Sequence, residues 1–101
     1  MEKFADTLAR DRRLAILLLI RDSGGSANES VLRQGLEMLG HTAGVTYQSV
    51  RDDLRFLEDA GCVRIEWFDD KVAVARLTKR GVDCAAGQIR IDGVKRPTLG
   101  V

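Results

Sequence analysis

The chain has 101 residues, which is enough for one compact domain and too few for two. Its 45% hydrophobic and 31% charged residues, with a single Pro, are typical of a folded domain and exclude a disordered or collagen-like chain. Sixteen Lys and Arg against fifteen Asp and Glu leave a net charge of +1, so binding to nucleic acid or to an anionic membrane would need local basic patches.

The first predicted helix runs from Phe4 to Asp22 and is closed by Ser23 and two glycines. Its second half, residues 14–20, is apolar on every side. A terminal helix of so small a domain is hard to cover with its own chain, so we predict that part of it packs against a second copy. The alternative is a one-chain core that encloses the whole apolar stretch. The interface candidates are Leu8, Leu14, Leu17 and Leu18.

The same apolar stretch bears on localisation. It is seven residues long, whereas a membrane-spanning helix needs roughly 20. The preceding residues are charged throughout and do not resemble a secretory signal. We therefore expect a cytoplasmic protein with no membrane partner, in which Cys62 and Cys84 are reduced and packed.

Two further helices are predicted in the middle of the chain. Asn28 is a suitable N-cap for a helix over about Glu29 to Leu39, which Gly40 ends. After a short connection, Thr46 caps a third helix from Tyr47 to Ala60. Three residues of this third helix share one face and should point into the core, namely Val50, Leu54 and Leu57.

After Gly61 the hydrophobic pattern changes to a period of two, which predicts strands from Val63 to Trp67 and from Val72 to Leu77. The residues between them, 68–71, predict a turn and hence a β-hairpin. Thr78 then caps a fourth helix from Lys79 to Ala86. Residues 88–101 are predicted to form an extended C-terminal arm.

This α+β, mostly helical order of elements resembles that of the winged helix-turn-helix regulators. Two stretches carry the resemblance. VTYQSVRDDLRFLEDAGCVRIEW resembles a recognition helix that runs into the first wing strand, and ARLTKRGVDCA resembles the Leu-Thr-x-x-Gly segment after the second. The matching positions are Leu54, Leu57, Glu58, Gly61 and Val63, then Leu77, Thr78 and Gly81.

More narrowly, NESVLRQGLEMLGH and AAGQIRIDGVKRP resemble segments of the small ArsR-like winged-helix proteins encoded in Mu-like prophages. The resemblance implies a winged-helix domain over residues 1–87, followed by the arm at 88–101. It also implies a homodimeric DNA-binding protein of phage or prophage origin that regulates transcription.

In a helix-turn-helix the second helix of the pair enters the major groove, and its N-terminal residues reach base edges. The DNA-binding candidates are therefore Thr46, Tyr47, Gln48, Ser49, Arg51 and Arg55. Gln48 suits adenine and Arg51 suits guanine, whereas the hydroxyl-bearing residues suit phosphates. The alternative is that this polar stripe is only the solvated face of a surface helix.

The charge of the third helix is unfavourable for DNA binding, because this helix carries two basic residues and four acidic ones. The hairpin turn is acidic as well, at Asp69 and Asp70. Contacts to the DNA backbone would then come from Lys71 or from the arm, through Arg90, Lys95 and Arg96. The alternative for the arm is that it is only a solvated charged segment. The competing hypothesis is a winged-helix adaptor in phage assembly that binds a basic protein partner and no DNA.

Metal binding, cofactor binding and catalysis have little support in the sequence. His41 is the only histidine, and the two cysteines lack the spacing of metal ligands. We find no nucleophile with an identifiable base and no glycine-rich phosphate loop. The sequence therefore predicts no metal, no cofactor and no enzymatic activity.

Overall fold

A computed structural model describes residues 3–98. It confirms the α+β fold and every predicted helix and strand, with ends shifted by at most one residue. The elements in chain order are α1 (Phe4–Asp22), β1 (Ser26–Asn28), α2 (Glu29–Met38), α3 (Tyr47–Asp59), β2 (Val63–Phe68), β3 (Val72–Leu77) and α4 (Lys79–Ala85).

The three strands form one antiparallel sheet in the order β1-β3-β2. The hairpin pairs Trp67 with Ala73 and Phe68 with Val72, and its turn places Asp69 and Asp70 at φ values of 52° and 54°. Aspartate tolerates this left-handed region better than most residues because its short polar side chain can hydrogen-bond locally. The predicted wing is therefore a tight, twisted hairpin.

Strand β1 was not predicted from the sequence. Its three residues show no apolar alternation of their own, and it forms because β3 has a free edge to which Ser26–Asn28 can pair. Asn28 pairs with Val74 and also caps α2, since its side chain accepts a hydrogen bond from the amide of Val31 at 2.8 Å. The sheet and the start of α2 are thus fixed relative to each other.

Helix α1 lies at the centre of the core and contacts α2, α3, α4 and the sheet. Val50, Leu54 and Leu57 of α3 are fully buried, as predicted.

The prediction that Leu17 contacts a second copy is wrong, because its side chain is 0% exposed within the single chain. Leu14, at 8% exposure, also belongs mainly to this core. The surrounding helices enclose more of α1 than its apolar sequence suggested.

The described part of the predicted arm, residues 88–98, contains no helix or strand but packs back onto the domain. Ile91 and Val94 are buried in the same core as the helices. The amide of Lys95 donates to the carbonyl of Arg10 at 3.2 Å, which holds the segment along α1. The core therefore continues beyond residue 87. Residues 99–101 of the predicted arm lie outside the described residues.

The two cysteines are distant in the sequence but are neighbours in the fold, where both are free, buried thiols. Burial raises the pKa of Cys62 to about 11 and raises that of Cys84 as well. A thiol reacts as its thiolate, so the raised pKa values lower the reactivity of both side chains, which act as small core residues.

Candidate nucleic-acid interface

The candidate interface is built on the turn between α2 and α3. Gly40, with φ of 87°, ends α2, and the amide of His41 donates to the carbonyl of Leu36 at 2.8 Å. Thr46 and Ser49 then form a capping box: the Ser49 amide donates to Thr46 Oγ1 at 3.0 Å and the Thr46 amide donates to Ser49 Oγ at 2.8 Å. Both hydroxyl groups thus define the start of α3.

The exposed side of α3 begins with Tyr47 and Gln48. The Arg33 guanidinium of α2 lies 4.7 Å from the centre of the Tyr47 ring. Hydrogen bonding with Ser30, and then with Arg33, lowers the pKa of the Tyr47 phenol. Gln48 donates from Nε2 to Asp52 at 2.8 Å along the helix surface. Both side chains are oriented by neighbours and still face solvent.

Arg51 was predicted to pair with guanine, but the structure gives its guanidinium another partner. Its Nε and Nη2 donate to the two carboxylate oxygens of Glu29, at 2.6 and 2.9 Å. Nη2 also donates to the carbonyl of Lys71 at 3.3 Å, and the guanidinium lies 5.2 Å from the Trp67 ring centre. The donor pair that would read guanine is occupied, so Arg51 connects α3 to α2 and the hairpin.

Arg55, one turn further along α3, is in the opposite situation. It is exposed and forms no hydrogen bond or ion pair with another residue in the range 3–98. The structure therefore divides the six predicted residues into three groups. Thr46 and Ser49 cap the helix, Arg51 holds it in place, and Tyr47, Gln48 and Arg55 are left on the outer surface.

The acidity of α3 is smaller at its surface than in its sequence, because Asp53 is buried. Its carboxylate accepts from Arg12 Nε at 2.5 Å and from Arg13 Nε at 3.2 Å, and the residue is 2% exposed. Sequence reasoning missed this pairing. The available signal was helical spacing, since Asp53 lies three residues after Val50 and shares its inward side.

The wing tip is acidic and apolar. Asp69, Asp70 and Lys71 are exposed there, and Phe68 is 52% exposed beside them. Trp67 lies on the other face of the hairpin, against Arg51. A wing that contacts phosphates normally offers basic side chains, and here Lys71 is the one at the turn.

A concavity of about 430 Å³ lies between the N-terminal half of α1 and the C-terminal segment. We call it the basic concavity, since it brings together Arg10, Arg90, Lys95 and Arg96, with Thr7, Asp11 and residues 91–94 completing its walls. Sequence reasoning assigned three of these basic residues to a projecting arm. It did not place Arg10 beside them, because that proximity depends on the return of the segment to α1.

A second, shallower depression follows the outer side of α1. Its volume is about 310 Å³, and its walls are Asp11, Leu14, Ala15, Leu18, Leu39, His41 and Lys95. Leu39 is 57% exposed and the neighbouring Met38 is 87% exposed. Of the predicted interface residues, Leu8 and Leu18 are half-buried and keep surface available to a partner.

The described residues contain neither a metal site nor a membrane span. Within residues 3–98 no three of the His, Cys, Asp and Glu side chains come together as metal ligands. No helix in that range combines the length and the apolar character needed to cross a bilayer.

The order of elements, the capped α2–turn–α3 unit and the hairpin after α3 define a winged helix-turn-helix protein. A solved structure titled "The complex structure of hsRosR-S4" has this fold too, with a TM-score of 0.61 and 19% sequence identity over 83% of this chain and 73% of its own. No protein-family model matches the sequence.

Relatives by sequence come from a phage and a bacterium. The chain is 40% identical to the uncharacterized protein gp26 of Escherichia phage Mu over 92 residues, which cover 91% of this chain and 93% of gp26. It is 34% identical to an uncharacterized protein of Haemophilus influenzae over 81% of this chain and 78% of that protein. The chain belongs to the family of phage Mu gp26.

Proposed function

We propose that this protein is an ArsR-like transcription regulator of phage or prophage origin that binds duplex DNA in the cytoplasm as a homodimer. The observation that carries the proposal is the outer surface of α3, where Tyr47, Gln48 and Arg55 remain exposed on a helix that is fixed at both sides. The winged-helix fold supports it, because this fold presents that helix to the major groove.

In the proposed complex, two copies of α3 enter successive major grooves about 34 Å apart on a pseudo-palindromic site. Arg55 pairs with guanine, and Gln48 gives up its hydrogen bond to Asp52 to pair with adenine. Thr46, Tyr47 and Ser49 lie nearest the phosphates, which position the helix. Arg51 acts as a positioning residue by holding the angle of α3 against α2 and the hairpin.

Dimerisation is proposed to use the outer side of α1. Leu8, Leu18 and Leu39 provide partly exposed apolar surface there, and Met38 lies at its margin. Contact of this surface with its own copy is the isologous arrangement of a two-fold dimer, and it removes apolar area from water on both sides.

The wing tip favours a second candidate function, the adaptor. Phe68 and Val72 are exposed next to Asp69 and Asp70, a combination suited to a basic protein surface with apolar patches. Such a module would use the hairpin and leave α3 without a DNA partner.

Fluorescence anisotropy with mixed-sequence duplex DNA at several salt concentrations tests the proposal. Binding that weakens with a log-log slope of several units indicates that several phosphates are neutralised. No binding even at about 50 mM salt contradicts the proposal and makes the adaptor the leading function.

Once a preferred site has been selected from random duplexes, Arg55→Ala tests the assignment of α3. We expect a loss of about 1–3 kcal/mol in binding to that site, with a smaller change on mixed sequence. Arg64→Ala is the matched control, because Arg64 is an exposed arginine on β2. Equal losses from both variants would remove Arg55 from the reading surface.

A further inference from the structure

Within residues 3–98, part of the exposed positive charge lies away from α3 and the wing. On α3, Arg51 is paired with Glu29, and Arg55 is the remaining arginine. On the wing, Arg76 is paired with Glu66, Arg64 of β2 is exposed, and the turn has two aspartates beside Lys71. Because DNA affinity depends largely on phosphate neutralisation, basic side chains on another part of the surface would add to the affinity that α3 and the wing supply.

The basic concavity brings together such side chains. It is lined by four basic residues and two acidic ones, Asp11 and Asp92. The Lys95 ammonium lies 4.0 Å from Asp11, and both side chains are solvent-accessible. The ion pair is therefore weak, and the Lys95 ammonium can exchange Asp11 for a phosphate. Arg90 and Arg96 are exposed and form no ion pair with another residue in the range 3–98.

The segment that carries these side chains is held in a defined conformation. Ile91 and Val94 anchor it in the core, and the Val94 amide donates to the carbonyl of Ile91 at 3.1 Å. Between them Gly93 has φ of 88°, and a Cβ there would lie 2.3 Å from the Phe56 ring, so the turn requires glycine. Arg13 completes the anchor by donating to the Gly93 carbonyl at 3.0 Å.

Along residues 90–96, Ile91 and Val94 are therefore anchored in the core, whereas the basic residues at 90, 95 and 96 are exposed. This arrangement loses less conformational entropy on binding than a free arm would. The concavity is open and shallow and is walled by α1 on one side and the segment on the other, which suits an extended polyanion. Guanidinium groups match phosphate oxygens in geometry as well as in charge.

We propose that the basic concavity binds backbone phosphates of duplex DNA, as a second contact surface separate from α3. The inference rests on the proposed function and deepens it. In the resulting division of roles, α3 reads the sequence, whereas the concavity supplies affinity that depends on salt but not on sequence.

The test compares the full chain with the double variant Arg90→Gln/Arg96→Gln by anisotropy, on mixed-sequence duplex and on the selected site. Because each lost phosphate contact reduces the salt slope by about 0.9, we expect the slope to fall by about 1–2 units. The ratio of affinities for the two DNAs should stay unchanged, since phosphates carry no sequence information. Both arginines are exposed, so the thermal midpoint Tm should also stay unchanged.

The matched control is Arg21→Gln/Lys79→Gln. It removes the same charge from the far end of α1 and the start of α4, where each cation forms an ion pair with a carboxylate nearby in the chain. Its slope should equal that of the unaltered protein. An equal fall in the control would show that net charge, and not the concavity, is responsible, and would overturn the inference.

The two proposals fail in different ways. If the unaltered protein does not bind duplex DNA at about 50 mM salt, the proposed function and the inference fail together. If it binds but the double variant keeps the same salt slope, only the inference is overturned and α3 remains the proposed contact.

Discussion

Arg51 of α3 and Glu29 at the start of α2 form a two-point ion pair, with Nε–Oε2 and Nη2–Oε1 distances of 2.6 and 2.9 Å. Glu29 is 6% exposed, although charged residues are seldom buried this far without a partner. The pair joins two helices, and the hydrogen bond from Arg51 to the Lys71 carbonyl adds the hairpin. The orientation of α3 is thus fixed by the contacts of Arg51 with the Glu29 side chain and with the hairpin backbone.

This ion pair makes stability depend on pH. Hydrogen bonds from Arg51 hold the pKa of Glu29 below its ordinary value of 4.5, although burial acts in the opposite direction. A carboxyl group whose pKa is lower in the folded state stabilises the fold above its unfolded pKa and ceases to do so as pH falls through the folded one. We expect Glu29→Gln to lower the Tm at pH 7 and to differ less from the unaltered protein at pH 3.

Thermal unfolding followed by circular dichroism between pH 3 and pH 7 measures this difference. Glu37→Gln is the matched control, because Glu37 is also paired with an arginine, Arg33, but is 47% exposed. Its effect on the Tm should be small at every pH. A Glu29→Gln effect that is equal at pH 3 and pH 7 would show that the carboxylate charge does not stabilise the fold.

Among the charged side chains, we expect removal of the Asp53 carboxylate to lower the free energy of unfolding most. Asp53→Ala leaves Arg12 and Arg13, whose side chains are 14% and 20% exposed, without their carboxylate. We expect the free energy of unfolding to fall by about 3 kcal/mol in urea titrations. Asp52→Ala is the control on the same helix, since Asp52 is exposed and accepts a hydrogen bond from Gln48. Similar losses for the two variants would contradict the role of the buried network.

Gly81 allows α4 to approach the start of β2. A Cβ at Gly81 would lie 2.0 Å from the Cys62 carbonyl oxygen, which is backbone and cannot rotate away. We expect Gly81→Ala to lower the free energy of unfolding by about 3 kcal/mol, because the helix must move off the strand.

Gly35→Ala is the comparison for that experiment. Its Cβ would meet the Leu19 methyl groups at 2.8 and 2.9 Å, which are the flexible end of a side chain. Alanine also favours the helix by about 1 kcal/mol, so we expect a net change within about 1 kcal/mol. If Gly81→Ala unfolds at the same urea concentration as Gly35→Ala, the close approach does not govern packing.

Leu39→Asp tests the proposed dimer without disturbing the core, since Leu39 is 57% exposed. We expect sedimentation velocity to show a folded monomer where the unaltered protein is a dimer. Leu18→Asp should have the same effect and a larger cost in stability, because Leu18 is half-buried against the core. Val82→Asp, on α4 at 45% exposure, is the control. Loss of the dimer in the control alone would move the interface to α4.

Local signals in the sequence were sufficient for the helices and the hairpin. Asn28, Thr46 and Thr78 each accept a backbone amide three residues on, and this cap depends only on neighbouring residues. The apolar spacing of α3 placed Val50 and Leu54 in the core because helical period and burial are directly related. Strand β1 was missed because three residues without alternation become a strand only beside the edge of β3.

The candidate site was predictable as a helix but not in its chemistry. Residue type and helical spacing place both Arg51 and Arg55 on the polar side of α3, so the sequence does not distinguish them. Which of the two guanidinium groups is available depends on Glu29, 22 residues away, and on a carbonyl in the hairpin. The spacing of residues along the sequence does not predict this ion pair with Glu29.

The helices, the hairpin, their caps, the inward side of α3 and the class of fold were therefore predictable, because they depend on interactions between residues close in the chain. Which charges are neutralised depends instead on contacts between distant parts of the chain. Asp53 meets Arg12 about 40 residues away, and Gly93 meets Arg13 across 80 residues. Distances of that kind are set by how the helices and the C-terminal segment pack, and the basic concavity exists because Ile91 and Val94 are buried against α1.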